Sequence, residues 1–142
     1  RGQSCAEFTL LQRNGEAYEN RFVSFVGVAR ATPGTTSSES SWHGFCGVDS
    51  ELSSCIKNGD PDGYYDVRVG EHDELEPGDV LRVLLDLDTG TLKAKRNGEL
   101  LTTIRSTAGT LISGLTGNYC WAAALLNHGA SVRITELDPA AF

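Results

Sequence analysis

This chain of 142 residues lacks the segments that would place it in a membrane or mark it for secretion. It contains no methionine, and no apolar run reaches about 18 residues, the length at which a helix begins to span a bilayer. It also lacks the apolar stretch of a signal peptide. Because it begins with Arg1 and not Met, we expect residues 1–142 to be a single domain of a longer protein. The chain has no N-x-[ST] sequon, so we expect it to be cytoplasmic, and we expect no membrane partner.

Positive charge is scarce. Lys and Arg number 12 against 19 Asp and Glu, which gives a net charge of −7. Nucleic-acid binding requires a surface rich in Lys and Arg, so we expect no nucleic-acid partner. Ten of the carboxylates fall in residues 49–79. This composition favours a solvated connector, and an acidic docking surface for a basic partner is the alternative.

Cysteine pairs of the zinc-binding kind are missing. The four cysteines, at positions 5, 46, 55 and 120, form no C-x-x-C motif, and only three histidines accompany them, so we expect no structural zinc. Cys5 and Cys120 fall in predicted strands, where they are expected to be small buried hydrophobes. We expect reduced thiols, with a Cys46–Cys55 disulfide as the alternative in an oxidising compartment.

Catalytic motifs are also missing. No serine lies in a G-x-S-x-G elbow and no histidine has a motif context, so a nucleophilic triad is not indicated. A glycosidase with two carboxylates is the enzymatic alternative, but the acids crowd into the connector. The sequence therefore predicts a protein that is not an enzyme and needs no cofactor.

One segment partly fits a calcium loop. Residues 58–66 read NGDPDGYYD, which supplies oxygen ligands at several of the required positions. However, the closing position holds Val69 where a bidentate glutamate is required, and Pro61 interrupts the loop. The same residues favour a tight turn for backbone reasons, so we expect no metal.

The best-organised stretch is residues 78–104. Apolar residues alternate along 80–87 with the period of a strand, and we expect one row to face the core: Leu81, Val83, Leu85 and Leu87. Turns are predicted at residues 88–90 and at Asn97-Gly98, the latter a strong hairpin signal. Strands at 80–87, 91–95 and 99–104 therefore form an antiparallel meander.

Further short strands are indicated by alternating or continuous apolar patterns between turn residues. They are predicted at residues 6–10, 22–29, 42–48, 52–56, 64–69, 119–126 and 130–135. Leu111, Ile112 and Leu115 are expected to pack over the end of the sheets. The spacing predicts an all-β fold, an antiparallel sandwich of two sheets with almost no helix.

Several motifs in this pattern resemble those of SPRY domains. In the centre they are GDV at 78–80, LDL at 85–87, GTL at 90–92 and NGEL at 97–100. On either side they are VGVA at 26–29, an Asn-Gly turn at 58–59, and the closing strands at 119–126 and 129–134. The matches are colinear over about residues 5–135. The resemblance implies a concanavalin-like jelly roll that recognises other proteins.

The resemblance also implies where a partner would bind. SPRY domains hold a partner peptide on loops gathered at one surface of the sandwich. We expect this one to act as an adaptor or substrate receptor within a larger protein or assembly. Tyr and Trp offer large rigid contact area in such sites. The predicted partner-binding residues are Arg30, Trp42, His43, Tyr64, Tyr65, Asp66 and Trp121. A carbohydrate-binding module on the same kind of sandwich is the alternative function.

Overall fold

The computed structural model describes residues 2–12, 24–30, 45–49, 54–57, 65–66, 75–102, 108–125 and 131–142. These residues form two five-stranded antiparallel sheets. The strands are β1 (Gln3–Gln12), β2 (Ser24–Arg30), β3 (Phe45–Asp49), β4 (Ser54–Lys57), β5 (Tyr65–Asp66), β6 (Val80–Asp86), β7 (Thr91–Arg96), β8 (Glu99–Leu100), β9 (Tyr119–Leu125) and β10 (Ser131–Leu137). One 3-10 turn, Pro139–Ala141, is the helical element of the described residues. The predicted all-β sandwich is confirmed.

The first sheet has the order β10-β1-β6-β7-β8, and the second has the order β5-β4-β3-β2-β9. Consecutive strands β6, β7 and β8 are neighbours, as the predicted meander requires. The two halves of the chain interleave, because β1 lies between β10 and β6 while β2 lies between β3 and β9. Strands distant in sequence therefore form both sheets.

The core lies between the inner faces of the sheets. Along β6 the predicted row is confirmed: Leu81, Val83 and Leu85 are buried, and Leu87 packs against the core from its edge. Apolar residues from both sheets complete this cluster, which includes Ala6, Phe8, Leu10, Val26, Val28, Cys46, Val48, Leu92, Ala94 and Leu101. Alternation along each strand decides which side chains enter it.

Residues 108–118 pass beside β7 and not over the ends of the strands. Leu111, Ile112 and Leu115 are buried in the core, so they do pack, but beside β7 and not over the end of the sheets, where they were expected. The amide of Leu92 donates to the carbonyl of Ile112 at 2.9 Å. This segment therefore covers part of the β7 edge, where an unpaired strand would otherwise meet solvent.

The predicted third strand of the meander is too long. It was expected over 99–104, whereas β8 ends at Leu100. Leu101 still donates its amide to the carbonyl of Ala94 at 2.9 Å, but it leaves the strand and buries its side chain completely. Burial of this leucine in the core accompanies the end of the regular strand.

Two glycines allow β2 and β3 to approach closely. Gly27 lies opposite Gly47 in the ladder. A Cβ atom at Gly27 would collide with the carbonyl oxygen of Cys46, and one at Gly47 would collide with that of Val26. These positions therefore require glycine because the neighbouring backbone occupies the space of a side chain.

The cysteine predictions are partly confirmed. Cys5 and Cys120 are free thiols. The side chain of Cys55 lies outside the described residues, so the choice between reduced thiols and a Cys46–Cys55 disulfide stays a prediction. Cys5 is buried as expected. The prediction for Cys120 was wrong: it is exposed, because the side chains of Tyr119 and Trp121 on either side of it face the core.

Candidate functional site

The structure describes four of the seven predicted partner-binding residues. Trp42, His43 and Tyr64 lie outside the described residues. The backbone of Tyr65 and Asp66 forms β5, the edge strand of the second sheet, next to β4. Arg30 and Trp121 lie on the neighbouring strands β2 and β9 of the same sheet. These four positions therefore belong to one sheet, with β5 at one edge and β9 at the other.

Arg30 ends the inner row of β2 at the rim of the sandwich. It lies opposite Tyr119, just as Val28 lies opposite Trp121. Residues directly opposite each other in an antiparallel ladder project from the same face. Val28 is buried, whereas Arg30 is exposed. The inner row of β2 therefore ends at the rim with Arg30, whose side chain lies in solvent.

The ring of Tyr119 supports the Arg30 side chain. The guanidinium carbon lies 5.8 Å from the centre of the ring, in cation–π geometry. Tyr119 is itself half-buried against the core. Tyr119, which packs against the core, therefore contacts the solvent-exposed guanidinium of Arg30.

The hydroxyl of Tyr119 points away from solvent. Its oxygen is buried and has no hydrogen-bond partner in the part of the chain that the structure describes. Burial raises the pKa of Tyr119, and the thiol of Cys46 adds to this rise. The guanidinium of Arg30 and the backbone of Thr116 oppose it, although Thr116 does not reach hydrogen-bonding geometry. Tyr119 is therefore neutral at physiological pH, and its ring acts as an uncharged support.

Gly117 keeps one side of the guanidinium open. Its φ is +103°, and a Cβ atom built there would lie 3.6 Å from Nη1 of Arg30. Its neighbours Thr116 and Asn118 are exposed. Arg30 thus lies beside a short stretch of small polar residues, which we call the 116–118 rim.

Arg30 forms no salt bridge with the described residues, unlike two other arginines of the domain. Arg82 donates to the carboxylate of Glu7 at 3.0 Å, and Arg96 donates to the carboxylate of Asp79 at 2.7 Å. Within the described part of the chain, Arg30 contacts a ring and no carboxylate. Among the described residues, no carboxylate therefore competes with a ligand for its N–H donors.

Trp121 supports the site from inside. Its ring meets that of Phe8 in the other sheet edge-to-face, with centroids 6.1 Å apart and planes at 74°. It is half-buried and packs against the core. Trp121 therefore joins the two sheets behind Tyr119, and only part of its surface is open to a partner.

Arg30 was predicted from the sequence, whereas its contact with Tyr119 was not. Tyr119 begins a predicted strand, and the pairing of Arg30 with it depends on the register of β2 against β9. Those strands are about 90 residues apart along the chain, and no local pattern encodes their register. The alternation of Tyr119 and Trp121 with Cys120 was the available signal, because it places both rings on one face.

The described residues contain no cluster of three or more His, Cys, Asp or Glu side chains arranged to hold a metal ion. In the segment 58–66, which partly fits a calcium loop, residues 58–64 lie outside the described part of the chain, and the last two residues form β5. None of the described elements is a helix of the length and hydrophobicity needed to span a membrane.

Comparisons with known proteins identify the fold. No protein-family model and no curated protein sequence matches the chain. Its structure is similar to that of the SPRY domain of human HERC1, with a TM-score of 0.66 and 16% sequence identity, over 96% of this chain and 76% of that chain. The chain therefore has the fold of a SPRY domain, as its motifs predicted.

Proposed function

We propose that this domain binds a segment of another protein at the rim formed by Arg30, Tyr119 and residues 116–118. SPRY domains usually mediate protein interactions, and the fold found here is theirs. The observation that carries the proposal is the Arg30 side chain, which is exposed, held on a rigid ring and not paired with a carboxylate of the described residues. Arginine and tyrosine are enriched among the residues that dominate binding energy at protein interfaces.

The other predicted contacts extend this proposal along the second sheet. Trp42, His43 and Tyr64, which lie outside the described residues, would contribute further contacts. Tyr65 and Asp66 would contribute from β5, the edge strand opposite β9. The proposed role is non-catalytic, that of an adaptor or recognition domain in a larger cytoplasmic assembly.

Selection from a random peptide library displayed on phage tests this function against its alternative. We expect the immobilised domain to enrich peptides that share a motif. Synthetic peptides carrying that motif should bind the wild-type domain in solution and bind Arg30→Ala less tightly. A glycan array measured with the same protein provides the comparison, because a carbohydrate-binding module would bind sugars and enrich no peptide motif. Binding to glycans without peptide enrichment would overturn the proposal.

Arg133→Ala is the matched control for Arg30→Ala. Arg133 is exposed on β10 of the first sheet, where it lies opposite Thr9. Both substitutions remove one positive charge, but only one lies at the proposed rim. Equal loss of binding in the two variants would mean that net charge, and not this rim, determines peptide binding.

A further inference from the structure

We propose that Arg30 binds the carboxylate of an aspartate or glutamate side chain in the partner segment. This inference rests on the proposed function and adds the chemistry of one contact. A guanidinium group presents a planar fork of N–H donors whose spacing matches the two oxygens of a carboxylate. The partner residue would thus be recognised by a bidentate ion pair.

The ring of Tyr119 prepares Arg30 for this contact. The guanidinium carbon lies over the ring at 5.8 Å, so a cation–π contact restrains the side chain. A flexible arginine loses side-chain entropy when it binds, and a restrained one has already lost part of it. Because the ring is packed against the core, this contact exists before the ligand arrives.

Gly117 leaves room for the ligand on the Nη1 side. A Cβ atom there would contact Nη1 at 3.6 Å, so any larger side chain at this position would stand beside the edge that a carboxylate must approach. The exposed neighbours Thr116 and Asn118 carry a hydroxyl and an amide that are suited to a second hydrogen bond. The rim therefore combines one cation with small polar groups.

The charge of the domain restricts the partner further. With a net charge of −7, the domain repels a polyanion at long range, whereas a contact at one guanidinium acts at short range. We therefore expect a segment with a single acidic residue between neutral or basic residues. The negative charge of the domain would repel a run of acidic residues or a nucleic acid.

The experiment uses the peptides selected from the random library. Each synthetic peptide is compared with a version in which its acidic residue is replaced by the amide, Asp by Asn or Glu by Gln. Fluorescence anisotropy with the wild-type domain should show that the amide version binds about tenfold or more weakly. This is the change in affinity expected when a hydrogen bond to a charged group is lost. With Arg30→Ala the acidic and amide versions should bind equally, because the group that distinguishes them is gone.

Three variants test the role of geometry. Arg30→Lys keeps the charge but loses the planar fork, so it should lose part of the preference for the acid. Tyr119→Phe keeps the ring and should retain the preference, whereas Tyr119→Leu removes the ring and should weaken it. Circular dichroism and thermal melting establish that each variant is folded. A preference that survives in Arg133→Ala confirms that the effect is local.

The outcomes separate this inference from the proposed function. If selected peptides bind but their amide versions bind as tightly, or if Arg30→Ala keeps the acid preference, the carboxylate contact is wrong and the peptide-binding function stands. If no peptide is enriched, both are wrong. A third peptide version carries phosphoserine at the acidic position, and binding to it with no binding to Asp or Glu would overturn the assignment of a carboxylate.

Discussion

Asn97 connects the meander hairpin to the start of β6, and its substitution tests how the fold is stabilised there. Its φ is +47°, in the left-handed region that few residues other than glycine adopt readily. Its Oδ1 accepts a hydrogen bond from the amide of Val80 at 2.9 Å, and its Nδ2 donates to Asp79 at 3.1 Å. One residue thus provides both a turn conformation and two side-chain contacts.

Two substitutions separate these contributions. Asn97→Gly retains the backbone conformation and loses both side-chain hydrogen bonds, each worth about 0.5–1 kcal/mol at an exposed position, so we expect a loss of about 1–2 kcal/mol. Asn97→Ala loses the same bonds and adds a left-handed alanine, at a cost of about 1–2 kcal/mol. We therefore expect Asn97→Ala to be about 1 kcal/mol or more less stable than Asn97→Gly.

Urea unfolding followed by circular dichroism measures the difference, provided that the slopes against denaturant agree between variants. Thermal melting gives a second value, since each kcal/mol shifts the midpoint of a domain of this size by about 3 °C. If Asn97→Ala is as stable as Asn97→Gly, the left-handed conformation contributes nothing. If Asn97→Gly is as stable as the wild-type protein, the two side-chain bonds contribute nothing.

Three further stability predictions and one about metal follow from the fold. Leu85→Ala should lower the free energy of unfolding in urea by about 2–5 kcal/mol, because the side chain is 4% exposed. A loss below about 1 kcal/mol, or one equal to that of Leu84→Ala at the half-buried neighbouring position, would mean that the Leu85 row does not face the core. Gly27→Ala should unfold at a much lower urea concentration than wild type, since its Cβ atom meets the backbone of the neighbouring strand; a midpoint near that of the wild type would refute the close approach. Burial raises the pKa of Asp79, but its hydrogen bonds outweigh this effect and hold the pKa below 3.8. The stabilisation by ionised Asp79 is therefore present above about pH 4 and is lost as the pH falls through the lowered value. The difference in unfolding free energy between wild type and Asp79→Asn should shrink between about pH 5 and pH 2, and a constant difference would contradict this. Melting temperatures in excess calcium and in chelator should agree, because segment 58–66 lacks a closing glutamate, and a reproducible rise with calcium would overturn this prediction.

The fold was predictable where local pattern and turn chemistry agree. Strand β6 alternates strictly, Asn97-Gly98 fixes the next turn, and the predicted inner row is the one found. The end of β8 was not predictable from the same signals. Residues 99–104 continue to look like a strand, but Leu101 leaves it to bury its side chain in the core. Tertiary packing decides such an end, and alternation alone does not reveal it.

The candidate site was less predictable than the fold. Arg30 was found because it ends a recognisable strand, but its support by Tyr119 depends on a ladder between distant strands. The same ladder explains the error at Cys120. As a small residue in an apolar strand it looked suitable for burial, yet it lies on the face opposite the two aromatic residues. Composition indicates burial on average, whereas the face of the strand decides it residue by residue.

The position of Arg30 shows how a sandwich can orient an exposed side chain at the end of a strand, without a rigid loop. In the inner rows of β2 and β9, opposed pairs run from Val28 and Trp121 in the core to Arg30 and Tyr119 at the rim. In the last pair, the ring of Tyr119 packs against the core while the guanidinium of Arg30 lies in solvent. Because the ladder fixes the backbone of both residues, the side chain is oriented by the same contacts that hold the sheets together. If Arg30 binds a partner as proposed, variation in the connecting loops would change which partner binds while this pair stays in place.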